Sequence, residues 1–366
     1  MYAVSNDRLT GCAWHVRWSC RLTFATGLLL VWGVSIATSQ AAATDAPFIL
    51  EKTMKIPGVP VGPYADALAV DLAGGRIFTT PQAAKAVAVL DLHDGRVLKM
   101  IPVSNPHGVV FSPALKRLFV TDGAGGDLKV FSSEDYSLVK SIPLTMGADG
   151  LVYDPHSQLL YANNGGEGAK MKQALISEVD PVRMEKVADI SIASVSLEGA
   201  AIDSDRQLLY VALDEEDNAI AVVDLAKRQT VATWKLPAGG HRAKPIAFDA
   251  AHARLYVACR DTSLHGTIFV LDTTSGRVVA TLPIAGWADS IFIDQRRQRV
   301  YVSAGAGYIE TYAIGTNDTY RRLAPVETEI LAKTSLYSRE NDRLYVSVPH
   351  LGDDGSAQVM VYKPAP

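Results

Sequence analysis

Cysteine is scarce in this chain of 366 residues, which contains only Cys12, Cys20 and Cys259. Two of the three lie within the first 43 residues, so Cys259 is left alone and the rest of the chain has no disulfide framework. The spacings CxxC and CxxCH are absent, which gives no support to a redox dithiol or a c-type haem. We expect Cys259 to pack as a small apolar side chain.

Common hydrolase and nucleotide-binding motifs are also absent. The sequence has neither a GxSxG elbow nor an HExxH helix. The glycine-rich segments at 123–127 and 165–168 lack a following helix and lysine, so we interpret them as hairpin loops and not phosphate loops. The formal charge is −4, and basic and aromatic residues do not alternate as in nucleic-acid interfaces. We therefore do not expect a nucleic-acid partner.

The leading segment 1–43 has the layout of a secretory signal peptide. Three arginines precede an apolar run of 16 residues from Leu22 to Ala37, and small residues follow at 41–43. That run is shorter than the ~20 residues of a spanning helix, which favours a cleaved segment over an uncleaved anchor. Cleavage removes three arginines and one aspartate, so the charge becomes −6. We expect a periplasmic or secreted protein without a membrane contact.

A short sequence motif that ends in an aromatic residue occurs seven times in the chain. The aromatic residues are separated by 41 to 49 residues, a period typical of propeller blades. They are Phe78, Phe119, Tyr161, Tyr210, Tyr256, Tyr301 and Tyr345. Seven copies predict seven structural units that close into one domain.

Each unit contains four short apolar runs separated by Gly, Pro, Asp and Asn, which indicates strands and turns. The sequence thus predicts an all-β fold, a seven-bladed β-propeller at 44–366 with four-stranded antiparallel blades. The expected units are 64–103, 104–144, 145–192, 193–237, 238–284, 285–326 and 327–366. Because the last unit lacks a fourth strand, we expect the strand at 49–57 to complete it and close the ring.

The units resemble the bacterial YVTN propeller repeat, with FVTD at 119–122, YVAC at 256–259 and YVSA at 301–304 among the matching segments. With the leader, the whole chain resembles the YncE-like periplasmic proteins built from that repeat. The resemblance implies the fold and the export more strongly than an activity. Relatives of this fold include ligand-binding proteins, lactonases and a dehydrogenase subunit, so function must be argued from a site.

An ionisable residue occupies one equivalent position in all seven units, five residues before the end of the first strand. Because first strands line the channel of a propeller, we expect these residues to meet at the channel mouth. They are Asp66, His107, Asp149, Glu198, Lys244, Asp289 and Lys333. About a quarter of residues are charged in average proteins, so seven at one position indicate a site or a self-neutralised ionic ring.

Two further expectations concern this entrance. His107, Asp149 and Glu198 lie on consecutive units away from the lysines, and one imidazole with two carboxylates suits a divalent metal. A small anionic or polyol ligand between lysines and acids is the alternative. Two positions further out, aromatic and polar residues form a rim of the kind that carries binding hot spots or packs over the channel end. They are Tyr64, Asn105, Arg242 and Trp287.

The sequence predicts a monomeric, non-catalytic protein that binds a small molecule or a partner protein at the channel mouth. It identifies no catalytic residue for this function. The cofactor is left open, and a divalent metal is the one that the residues suggest. Two alternatives stay open. One is a metal-dependent hydrolase of lactone-like substrates with Asp66 or Asp289 as general base, and the other is a subunit of a periplasmic dehydrogenase.

Overall fold

The computed structural model describes residues 46–213, 218–261, 264–352 and 355–366. The predicted signal peptide at 1–43 lies outside these residues. In the described part of the chain, no helix is long and apolar enough to cross a membrane. The structure confirms the all-β class. Among the residues it describes, seven antiparallel sheets contain all the strands, and the helical segments are two short 3₁₀ turns, Gln82–Ala84 and Gly166–Ala169.

Each sheet is one blade whose first two strands run from the channel outwards. The inner strands are β2 (Ala65–Asp71), β6 (Pro106–Ser112), β10 (Leu151–Asp154), β14 (Leu197–Asp203), β18 (Ala243–Asp249), β22 (Ala288–Asp294) and β27 (Thr334–Ser338). The second strands carry the repeated aromatic residues and are β3 (Arg76–Pro81), β7 (Arg117–Asp122), β11 (Leu159–Gly165), β15 (Leu208–Leu213), β19 (Arg254–Cys259), β23 (Arg299–Ala304) and β28 (Arg343–Val348).

The third and fourth strands complete the blades. The third strands are β4 (Ala86–Asp91), β8 (Asp127–Ser132), β12 (Ala174–Asp180), β16 (Ala219–Asp224), β20 (His265–Asp272), β24 (Tyr308–Ile314) and β29 (Ala357–Pro364). The outer strands of the first six blades are β5 (Val97–Pro102), β9 (Leu138–Pro143), β13 (Glu185–Ile192), β17 (Gln229–Lys235), β21 (Val278–Ala285) and the pair β25 (Tyr320–Arg322) and β26 (Val326–Glu327). The sixth blade therefore has five strands and not four, because the two short segments β25 and β26 both pair with β24.

The N-terminal strand closes the ring, as the sequence predicts. Strand β1 (Phe48–Ile56) pairs antiparallel with β29, from Phe48 opposite Pro364 to Ile56 opposite Ala357. Met54 and Ile56 on β1 are buried, and they pack with residues of the first and last blades. The first strand is thus joined to the last by backbone hydrogen bonds and by apolar burial, which closes the ring of blades.

The repeated aromatic residues form the contacts between neighbouring blades. Phe78 of blade 1 is fully buried and packs with Val109, Leu118 and Val120 of blade 2. The pattern continues around the ring, and Tyr345 of blade 7 belongs to a cluster with residues of blade 1. Each blade is apolar on both faces, so this stacking buries surface that an isolated sheet would expose. Cys259 is also fully buried, in the cluster around Tyr210.

Candidate binding site at the channel mouth

A β-bulge interrupts the inner strand at the ionisable position. The register between β2 and β3 shifts between Ala65 and Leu68, and similar shifts occur in β6, β14, β18 and β22. A bulge leaves a residue out of the ladder and redirects its side chain. Second-strand hydroxyls bind the released peptide groups, since Ala67 donates its N–H to Thr80 Oγ1 at 2.9 Å and Gly108 donates to Thr121 Oγ1 at 2.8 Å.

The seven ionisable residues form two contiguous groups around the channel. The first, which we call the acidic group, belongs to blades 1 to 3. It consists of Asp66, His107 and Asp149. The second, which we call the paired group, belongs to blades 4 to 7. It consists of Glu198, Lys244, Asp289 and Lys333. Acids and lysines therefore alternate within the paired group, whereas the acidic group contains no lysine.

In the acidic group, His107 lies between two carboxylates. Its Nδ1 donates to Asp66 Oδ2 at 2.6 Å and lies 3.4 Å from Asp149 Oδ1. Burial alone would lower the pKa of His107, but the hydrogen bond to Asp66 and the charge of Asp149 raise it above its ordinary value. The surrounding protein and nearby acids raise the pKa of Asp149, although 46% of its side chain is accessible from within the channel.

In the paired group, three cations surround one carboxylate. Lys333 Nζ donates to Asp289 Oδ2 at 2.7 Å, and Lys244 Nζ lies 3.6 Å from Oδ1 of the same side chain. Arg260 also donates to Asp289. Burial alone would raise the pKa of Asp289, but Lys244, Arg260 and Lys333 hold it well below its usual range. Lys244 also binds Glu198 at 2.8 Å.

The expected metal ligands differ from the arrangement in the structure in one residue. Glu198 is bound to Lys244, whose charge neutralises it, and does not join His107 and Asp149. Asp66 takes its place, because the bulge in β2 turns that side chain toward blade 2. Among the described residues, the donor atoms of Asp66, His107 and Asp149 lie within 4.8 Å of one another.

The four predicted rim residues have separate surroundings. The Asn105 side-chain amide lies 2.8 Å from His107 Nε2, so Asn105 belongs to the acidic group. Tyr64 is 49% exposed, and its ring lies 5.2 Å from Lys333 Nζ. Trp287 is 40% exposed and has a positive φ of 63°, and Arg242 is exposed with a φ of 56°. The structure thus leaves two aromatic faces accessible at the entrance.

Two residues of the site were missed from the sequence. Gln82 donates to Asp66 and lies 3.1 Å from His107 Nδ1, whereas Arg260 binds Asp289. Both directly follow the second strand of their blade, Gln82 after β3 and Arg260 after β19. An alignment of the repeats on the aromatic residue would have placed them at one position, four residues beyond it.

Three cavities meet at these groups. One of about 150 Å³ lies among Asp66, Asp149, Glu198, Lys244 and Asp289. Another, of about 310 Å³, continues along the channel between the inner strands. The third, of about 330 Å³, opens beside His107 and Asp149 toward the loop at 165–168. Asp149 lines all three cavities, so a molecule in any of them would lie beside this residue.

The fold and this site define a seven-bladed β-propeller with a charged channel mouth. Solved structures of the same fold include Kuenenia stuttgartiensis hydrazine synthase, with a TM-score of 0.70, 16% identity and coverage of 85% of this chain and 99% of that one. The structure of U3-55K has a TM-score of 0.69, 12% identity and coverage of 86% and 98%. At these identities the likeness concerns the fold alone.

In sequence, the chain is similar to the uncharacterized protein YncE of Salmonella typhimurium, with 26% identity over 107 residues. It is also similar to YncE of Salmonella typhi, with 25% identity over 107 residues. Each match covers 29% of this chain and 30% of the relative, so the aligned part spans about a third of the curated proteins. No family model matches the chain. The protein is thus a seven-bladed β-propeller that resembles YncE over part of its sequence, in agreement with the resemblance that the repeats indicate.

Proposed function

We propose that this protein is exported and binds a small hydrophilic molecule at the channel mouth, without catalysis. The observation that carries the proposal is the position of Asp149. Its carboxylate contacts His107 at 3.4 Å and has no other ion-pair partner in the described part of the chain. It also lines the cavity of about 150 Å³ together with three further acids. These groups accept hydrogen bonds from a ligand.

The charge pattern favours an ammonium or a hydroxyl group on the ligand. Lys333 and Arg260 are bound to Asp289, and Lys244 is shared between Asp289 and Glu198. An anionic ligand would have to compete with these carboxylates. Asp149 has room beside it instead, and a cation there would lower the free energy of a carboxylate that burial and nearby acids destabilise.

The rim supports recognition of a larger ligand body. Tyr64 and Trp287 present exposed aromatic faces at the entrance, and such residues supply contact area with little loss of side-chain entropy. The leader, typical of export, supports a periplasmic or secreted location.

Thermal shift assays and calorimetry test this proposal with putrescine, ethanolamine and glucose as cationic and hydroxylated probes and citrate as the anionic probe. We expect an amine or the sugar to raise the melting temperature and citrate to have no effect. Asp149→Asn should weaken binding at least tenfold. Asp94→Asn is the matched control, because Asp94 is 50% exposed and lies away from the channel. Equal binding by both variants, or no binding of any probe, contradicts the proposal.

A further inference from the structure

We propose that Asp66, His107 and Asp149 bind one divalent transition-metal ion, for which Zn²⁺ is the probe. The three donor atoms come from neighbouring blades and lie within 4.8 Å of one another. One imidazole and two carboxylates offer a mixed nitrogen and oxygen set, which suits Zn²⁺ better than Mg²⁺, because Mg²⁺ prefers oxygen ligands alone.

The distances require only a small rearrangement. In a tetrahedral zinc site with bonds of about 2.0–2.1 Å, neighbouring ligand atoms are about 3.4 Å apart. His107 Nδ1 and Asp149 Oδ1 already have that separation, at 3.4 Å. His107 Nδ1 and Asp66 Oδ2 are 2.6 Å apart, so an ion that replaces the shared proton must move them apart by about 0.8 Å. The proposal requires rotation of these two side chains to provide that movement.

Neighbouring amides hold the ligands in place. The Asn105 side chain lies 2.8 Å from Nε2, the ring nitrogen that faces away from the proposed ion. Gln82 donates to Asp66 and approaches Nδ1 at 3.1 Å. Metal-binding histidines commonly donate the N–H of the second ring nitrogen to a partner, so the Asn105 amide, whose nitrogen faces Nε2, must turn to present its oxygen when Nδ1 binds the ion. The donor set is therefore supported by residues that fix its geometry.

Two cavities leave coordination positions open. Asp66 and Asp149 border the cavity of about 150 Å³, and His107 and Asp149 border the one of about 330 Å³. Three protein ligands with an open fourth position are the arrangement of zinc sites that accept an external molecule. The site requires none of the amine or sugar ligands proposed above, so either proposal can fail alone.

The competing arrangement is a protonated His107 bound by two carboxylates, with no metal. Calorimetry on the full chain, stripped with EDTA and titrated with Zn²⁺, distinguishes the two. We expect binding that Mg²⁺ at the same concentration does not reproduce. Asp66→Asn and Asp149→Asn should each raise the Kd for Zn²⁺ at least about tenfold, the lower bound for losing even an outer-shell partner. Asp94→Asn is the control for a surface carboxylate.

A second measurement, the visible absorption of bound Co²⁺, separates loss of the metal site from misfolding of a variant and from metal binding elsewhere on the chain. Co²⁺ should give a visible absorption band that Asp149→Asn removes while the melting temperature of the metal-free variant stays within 2 °C of the parent. Glu198→Gln tests the ligand set, and its Kd for Zn²⁺ should stay within threefold of the parent. Equal Zn²⁺ affinity in the parent and Asp149→Asn overturns the proposed site. The proposal also fails if Glu198→Gln weakens Zn²⁺ binding as much as Asp66→Asn does.

Discussion

Removal of the negative charge of Asp289 should destabilise the propeller strongly. The side chain is 6% exposed and bound by Lys333, which is also 6% exposed, and by Arg260, which is 12% exposed. Asp289→Asn keeps the volume but leaves these cations without their shared counter-ion. Removal of one partner from a buried ion pair costs about 3 to 5 kcal/mol of the free energy of unfolding.

This loss corresponds to a measurable change in melting temperature. At about 2.1 cal/mol/K per residue, the entropy of unfolding for the propeller at 44–366 is about 0.7 kcal/mol/K. The expected loss of about 3 to 5 kcal/mol therefore lowers the Tm by about 4 to 7 °C. Differential scanning calorimetry at pH 7 measures this shift. Asp94→Asn, whose ion pair with Arg96 is exposed at 3.4 Å, should change the Tm by less than about 1 °C.

A double-mutant cycle shows whether the loss comes from the unpaired cations. Asp289→Asn combined with Lys333→Met removes one charge of each sign, so the double variant should be more stable than the sum of the single changes predicts. We expect a coupling of about 0.5 to 3 kcal/mol. A Tm for Asp289→Asn within 1 °C of the parent, or strictly additive changes in the cycle, would refute this account.

Three further predictions concern closure, acid and catalysis. Met54→Ala on the closing strand, where the side chain is 2% exposed, should cost about 2 to 5 kcal/mol in urea unfolding, whereas Ile49→Ala, 59% exposed, should change little. The folded protein lowers the pKa values of Asp289 and Asp294. Their ionised carboxylates therefore stabilise the folded state above about pH 4, and this stabilisation is lost as the pH falls through their pKa values in the folded protein. The Tm should therefore drop below about pH 4, less steeply in Asp289→Asn, and equal slopes would contradict this. Stopped assays with δ-valerolactone and Zn²⁺ should show no turnover above buffer, and turnover that Asp66→Asn abolishes would favour the hydrolase.

The fold could be predicted because the same physical requirement recurs seven times. Every blade needs a bulky aromatic residue against its neighbour. Phe78 of the first blade and Tyr345 of the last blade show the same packing between blades. The closing strand could be predicted because the last unit ends one strand early. The split outer strand of blade 6 could not, because its two segments, Tyr320–Arg322 and Val326–Glu327, are too short for a periodic pattern.

The proximity of the ionisable residues could be predicted, but their pairing could not. The inner strands repeat, so equivalent residues such as His107 and Lys244 had to meet at one end of the channel. Which partner each one takes depends on side-chain direction at the bulges. There, Asp66 turns toward His107 while Glu198 turns toward Lys244, and this direction has no counterpart in the spacing of the repeats.

The difference between the two groups depends also on residues outside the repeated ionisable position. Arg260 adds a third cation around Asp289 and draws that carboxylate into the paired group, where it neutralises Lys333. Gln82 is the equivalent residue of blade 1, and it is uncharged, so the carboxylate of Asp66 stays available to His107. The position that directly follows the second strand thus adds to a difference that Lys244 and Lys333 already make between a neutralised side of the channel and an acidic side. The acidic side is where a ligand or a metal gains most, because nearby acids and burial already destabilise the ionised form of Asp149.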